Sequence, residues 1–299
     1  MDISIKRGFE RIKRLAIIAM VSNDYLMERL VLKGGNALDI IYHIASRSSV
    51  DLDFSICDDF PKDELKKIEE AVIHTITTTF NEARYVAFDV TFRERPRRRR
   101  SDQPDFWGGY KIEFKVIEKE RYKNIKHDME TLRRNAITLD SAQHRKIEID
   151  ISKFEYCDGR REAELDGYTV YVYPLEMILF EKLRAICQQM PEYAVALKTT
   201  RKARARDFFD IHTICEHSPI NVEAEEHKAL IKTAFEIKRV PLELLGKIGD
   251  YRDFHRQDFP AVRQTAAGDV KEFDYYFDFV AALGKRILHS LGIMKAPPL

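Results

Sequence analysis

The feature that most limits the fold is a change of pattern at Pro174. Before it, short β-rich runs alternate with helical stretches. After it, the periodicity is helical almost to the end. Val31-Leu32-Lys33 is a short apolar run ending in the Gly34–Gly35 turn, and Val50–Ile56 alternates with period two. Arg84–Phe92, Tyr110–Glu118, Lys146–Ser152 and Tyr168–Tyr173 are further strand-like runs. Period-two alternation sends alternate side chains to opposite faces of a sheet. Residues 3–30 and 61–80 read as helices, the second opened by Pro61, whose fixed φ suits a first helical turn. Beyond Pro174, helices are predicted near 175–190, 201–216, 223–238, 241–250 and 272–291. Strands with helices followed by a helical block predict an α+β fold: an α+β domain over residues 1–174 and a helical domain over 175–299.

The chain has 299 residues and is 44% hydrophobic, enough to bury a sizeable core. Its formal net charge is +1, so any attraction to nucleic acid must come from a local patch. One run supplies it: Arg93–Arg100 carries Arg97, Arg98, Arg99 and Arg100 between two strand candidates. It reads either as a solvated loop or as a phosphate-contacting, RNA-binding patch. The four cysteines have no metal-ligand spacing and read as reduced thiols. Basic residues precede the apolar run Leu15–Val21, but polar Ser22-Asn23-Asp24 follows in place of a cleavage site, so an amphipathic helix is expected there. No apolar stretch is long enough to span a bilayer, and a cytoplasmic location with no membrane partner is expected.

Chemistry is concentrated in a few carboxylates. Asp51 and Asp53 are two apart on a predicted strand, so both side chains point to one face. Carboxylate oxygens suit a hard cation such as Mg2+, which binds through one or two carboxylates plus phosphates and water. Gly34 and Gly35 precede a predicted helix, where backbone N–H groups can cradle phosphate. Glu148 and Asp150 share one face of the Lys146–Ile151 run. Asp150 lies nearer the strand's C-terminal end and is the preferred third metal ligand or general base, with Glu148 as the alternative. Two cations about 4 Å apart can activate an attacking oxygen and stabilise a leaving pyrophosphate. The sequence has no HExxH, GxSxG, P-loop or GxGxxG motif, and His212 and His217 lack the spacing of a helical zinc pair.

Lys33-Gly34-Gly35-Asn36-Ala37-Leu38, followed by Arg47-Ser48-Ser49-Val50-Asp51-Leu52-Asp53-Phe54, resembles the AbiEii/AbiGii toxin family. These are nucleotidyltransferase-like toxins of toxin–antitoxin systems within the DNA polymerase β-like superfamily. Their pattern is KGGxxL, then RxSxDhDh or RxTxDhDh with h apolar. Leu175–Ala185 resembles the family's helix with its EKLxA motif, and Arg204–Ile211 resembles its RDhxDh motif. The resemblance implies a nucleotidyltransferase mixed sheet flanked by helices. It implies that Lys182, in the C-terminal domain, contacts nucleotide phosphates and that Asp207 supports the active site. Asp210, on the same helix face as Asp207, is the alternate. Where the superfamily often has serine after the second glycine, this chain has Asn36, whose amide can still donate a hydrogen bond. Lys33, Gly34, Gly35, Asn36, Arg47, Ser49 and Lys182 are the nucleotide-binding candidates. Asp51, Asp53 and Asp150 are the metal candidates, and with Lys182 and Asp207 they form the catalytic set.

The expected function is therefore that of a toxin transferring a nucleotide from an NTP, with Mg2+ or Mn2+, to RNA. A tRNA is the first choice of acceptor, and a cognate antitoxin is encoded nearby. Transfer to a protein hydroxyl, NMPylation, is the near alternative. A catalytically silent nucleotide- or RNA-binding module is the alternative of another class.

Overall fold

The computed structural model describes residues 3–44, 51–96, 104, 106–139, 143–194, 201–266 and 268–294. The chain divides into two compact units: Met1–Asn36, Val50–Arg99 and Gly108–Val172 form the first, and Ala37–Ser49, Arg100–Trp107 and Tyr173–Leu299 the second.

The first unit is built on a seven-stranded mixed sheet. Its strands are β1 (Val31–Lys33), β2 (Leu52–Ser55), β3 (Tyr85–Arg95), β4 (Gly109–Glu118), β5 (Ile147–Ser152), β6 (Arg161–Leu165) and β7 (Tyr168–Val172). Their order across the sheet is β3-β4-β5-β2-β1-β7-β6. The pairs β2–β5 and β1–β7 are parallel and the rest antiparallel. The mixed sheet with flanking helices, followed by C-terminal helices, is the expected fold class.

Alternation explains why these runs are strands. In β5, Ile147, Ile149 and Ile151 are buried while Glu148, Asp150 and Ser152 are half-buried on the other face. In β4, Tyr110, Ile112 and Phe114 fill the same apolar layer. The Leu65–Glu82 helix covers it with Ile68, Val72, Ile76 and Phe80, packing on β3 and on the Ile3–Val21 helix. Phe80 meets Phe114 edge-on, with ring centroids 5.4 Å apart. At the start of β4, a Cβ on Gly109 would lie 1.9 Å from the carbonyl oxygen of Ile151, so the β4–β5 approach requires glycine there.

Several expectations need correction. The first helix stops at Val21, and Asn23 caps a new turn by accepting a hydrogen bond from the Leu26 N–H at 3.1 Å. Pro61 lies ahead of its helix, in a turn closed by Glu64 N–H on the Pro61 carbonyl. The stretch after Gly34–Asn36 is a single π turn, Ala37–Ile41, instead of a longer helix. Strand β6 carries the sequence Arg-Glu-Ala-Glu-Leu and gives little apolar alternation, because it is an edge strand exposed along most of its length.

The second unit is helical: Leu175–Cys187, Pro191–Ala194, Ala205–His217, Glu225–Glu236, a 3-10 segment Leu242–Tyr251, Arg252–Arg256, Phe259–Thr265 and Phe273–Ser290. Its core is aromatic. Phe208 stacks on Phe277 at 5.1 Å and meets Phe273 edge-on at 5.6 Å. His212 is buried among Tyr275, Tyr276 and Phe279, a structural role. All four cysteines are free thiols. Among the described residues, no helix is long and apolar enough to cross a membrane.

Candidate active site

Register places the acidic residues together. Asp53 on β2 is the partner of Asp150 on β5, and Lys33 on β1 is the partner of Asp53. Lys111 on β4 is the partner of Asp150, and Arg93 on β3 the partner of Lys111. Directly opposed residues on neighbouring strands share a face. One row therefore crosses five strands: Arg93, Lys111, Asp150, Asp53, Lys33. Two adjacent carboxylates stand at its centre with cations on both flanks. Asp51 precedes β2 and is exposed.

The glycine turn closes over this row. Gly34 has φ +71°, and a Cβ there would come within 2.8 Å of Asp53 Oδ2. The carboxylate of Asp53 thus occupies space that only glycine leaves open. Gly34→Ala is expected to cost about 1–2 kcal/mol from the left-handed backbone alone and to displace Asp53. A lowered melting temperature together with reduced nucleotide transfer would check it.

Gly35 is buried, and Asn36 is fully buried. Asn36 Nδ2 donates to the Asp51 carbonyl at 2.5 Å, tying the glycine turn to the start of the acidic strand. Lys33 is 7% exposed, with Nζ 3.8 Å from Glu155 Oε1, a buried pair. Arg47, Ser49 and Arg97 to Arg100 lie outside the described residues.

The electrostatics of Asp150 follow from its neighbours. Burial pushes its carboxyl upward, Lys111 and Arg95 pull it down, and Asp51 and Glu148 add to the rise, leaving it above the usual range. Arg95 Nη1 and Lys111 Nζ lie 3.8 and 3.9 Å from its oxygens. Among the described residues, no three His, Cys, Asp or Glu side chains form a ready metal cage. The donor chemistry still fits a hard cation: the carboxylates of Asp53 and Asp150 come from register partners, and Asp51 lies within Coulombic reach of Asp150.

In the second unit, Lys182 is 8% exposed on the Leu175–Cys187 helix. Its Nζ donates to Asp207 Oδ1 at 2.9 Å and to Asp210 Oδ2 at 2.7 Å. Arg204 Nη1 approaches Asp207 Oδ2 at 3.2 Å. Burial pushes Asp207 up, but Lys182 and Arg204 more than offset it and hold the carboxyl below its usual range. The sequence left Asp207 and Asp210 as alternatives; the lysine takes both.

His255 is fully buried against this group, and its Nδ1 accepts the Arg204 backbone N–H at 3.1 Å. Burial pushes its imidazole down to about 4, with Asp207 pulling up and Arg204 and Arg201 pulling down. The unfolded chain therefore takes up this proton first, between the ordinary pKa of about 6.5 and the folded value. The stability is present above that window and lost as pH falls through it, by about 3 kcal/mol in all. Urea unfolding at pH 7 and pH 4.5 should show a shallower acid loss for His255→Gln than for the unaltered chain.

A family model described as the nucleotidyl transferase AbiEii toxin of type IV toxin–antitoxin systems matches residues 17–279. The chain belongs to this family. The AbiEii match spans both units and every motif on which the sequence resemblance stood. No curated protein matches the chain. Among solved structures it is similar to an antigenic nucleotidyltransferase-like protein from Paracoccidioides brasiliensis. The two are 14% identical over 81% of this chain and 91% of that chain, with a TM-score of 0.35, a distant likeness.

Sequence reasoning missed Lys111, Arg93 and Arg95 as neighbours of the acidic row in this AbiEii chain. The signal was present in part: Lys111 and Glu113 alternate with Tyr110, Ile112 and Phe114, which assigns them to the polar face. Which strand lies beside β5 is not written in that alternation.

Proposed function

We propose that this AbiEii-family toxin transfers a nucleotidyl group from an NTP to RNA, with tRNA first among acceptors, releasing pyrophosphate. The observation that carries the reading is the register pair Asp53–Asp150 with the Asp53 carboxylate seated over Gly34. Asp51, Asp53 and Asp150 would hold Mg2+ or Mn2+. A cation held there would supply charge stabilisation to the reacting oxygens.

The other roles belong to the chain itself. The Gly34–Gly35 turn admits close approach of phosphate to backbone N–H groups. Asn36 holds that turn against Asp51. Arg93 and Arg95 expose about half of their side chains on the strand that leads into Arg97–Arg100. A cationic strand of this kind suits a polyanionic acceptor. Lys182, held by Asp207 and Asp210, is assigned to the nucleotide phosphates by its motif. The toxin–antitoxin family implies a cognate antitoxin as partner.

The test uses purified protein, magnesium, each α-labelled NTP in turn and total tRNA. Label in RNA that disappears with EDTA supports the reading and names the nucleotide. Label in protein moves the acceptor to a protein hydroxyl. NTP binding with label in neither returns the chain to a silent nucleotide-binding module.

A further inference from the structure

We propose that Lys111 is a positioning residue: it binds Glu148, holds that carboxylate away from the cation, and leaves Asp150 as the acid that faces Asp53. The inference rests on the reading of Asp51, Asp53 and Asp150 as cation ligands, and it concerns the two β5 acids, of which the sequence offers Asp150 as first choice and Glu148 as the alternative.

Lys111 is 8% exposed on β4, and its Nζ hydrogen-bonds Glu148 Oε2. The other oxygen of Glu148 lies 3.8 Å from Lys146 Nζ. Each oxygen of Glu148 thus faces a lysine. Asp150 differs: among the described residues its carboxylate accepts no side-chain hydrogen bond, and its cations stand off at 3.8 and 3.9 Å.

Register explains the division. Glu148 is opposite Glu113 on β4, and like charges directly opposed are unfavourable. The chain answers with three cations. Lys111 takes Glu148, Lys146 donates to Glu113 at 3.0 Å, and Arg93 stands 3.9 Å from Glu113. Asp150 is opposite Lys111 on one side and Asp53 on the other. Its nearest opposed carboxylate is therefore Asp53, the residue seated over Gly34. Two acids that look equivalent along β5 are placed in different charge environments by the strands beside them. Glu148 belongs to a neutralised acid–lysine group, and Asp150 to the carboxylate pair.

The test measures Mn2+ binding to the full chain by the paramagnetic resonance of free Mn2+, with no turnover required. Lys111→Met removes a positive charge and releases a carboxylate beside the site, so the Mn2+ Kd should fall about tenfold. Lys111→Met combined with Glu148→Gln removes the pair with no change in net charge. Its Kd should stay within about threefold of the unaltered chain, as for the loss of a self-compensated pair. A double variant that loses Mn2+ affinity tenfold or more, while the unaltered chain binds, makes Glu148 a ligand and overturns the proposal. An unchanged Kd in a folded Lys111→Met protein also overturns it. An unaltered chain that takes up no Mn2+ removes the cation reading itself, and the role of Lys111 with it. The double variant decides the matter if Lys111→Met alone does not fold.

Discussion

Asp53→Asn should reduce label transfer from NTP by at least about a thousandfold, because a lost cation ligand forfeits several kcal/mol of transition-state stabilisation. The fold should survive. Asp53 is half-buried beside Asp150, and an amide of nearly the same shape relieves repulsion between the two carboxylates. The melting temperature is therefore expected to change little. The informative result is the split: transfer lost, melting retained, Mn2+ affinity weakened. Asp51→Asn should follow the same pattern with a smaller effect, since Asp51 is exposed ahead of the strand. Transfer remaining above a tenth of the unaltered rate in Asp53→Asn would end the assignment of this carboxylate to the cation.

Lys182→Met should cost about 3–5 kcal/mol of stability, the usual penalty for removing one partner from a buried ion group. The reason is specific to this cluster. Asp207 and Asp210 are 6% and 3% exposed, and both are hydrogen-bonded to the lysine. Without it, Arg204 still approaches Asp207 at 3.2 Å, but Asp210 has lost the lysine. For a chain of this size such a loss corresponds to a fall of roughly 10 °C in melting temperature. The pH dependence should also invert. In the unaltered chain, Asp207 lies below its usual range, so its contribution is present at neutral pH and is lost in acid as the carboxyl protonates. In Lys182→Met, burial is no longer offset by the lysine, and protonation relieves the buried charge. The gap in stability between the two proteins should therefore narrow as pH falls from 7 to 4. Adding Asp210→Asn should recover part of the loss. A Lys182→Met protein that melts with the unaltered chain would show that the ion group contributes nothing to the fold.

These two experiments separate roles that the motifs alone run together. The sequence marks Asp53 and Lys182 as members of one catalytic set. Physically, Asp53 stands in a row of charges at a glycine turn, whereas Lys182 is the cation on which two buried carboxylates depend. Loss of activity would be expected from either substitution, but only Lys182→Met should carry a large loss of stability.

The sequence by itself determined the strand runs and the polar face of β5, because period-two alternation is local and needs no partner. It also determined the Gly34–Gly35 turn and the family, through motifs read along the chain. The helical block after Pro174 was legible for the same reason, as a repeat within single segments. Strand β6 was not, since an exposed edge strand has no buried face to force alternation. The structure alone decided who stands beside whom. That Lys111 faces Asp150, that Asp53 faces it from the other side, and that Lys182 takes both Asp207 and Asp210 are facts of strand order and helix packing. They join residues from 25 to 97 positions apart, as the intervals Lys182–Asp207 and Asp53–Asp150 show. Local periodicity fixes which face a side chain occupies. Only the long-range pairing of elements fixes which charge it meets there.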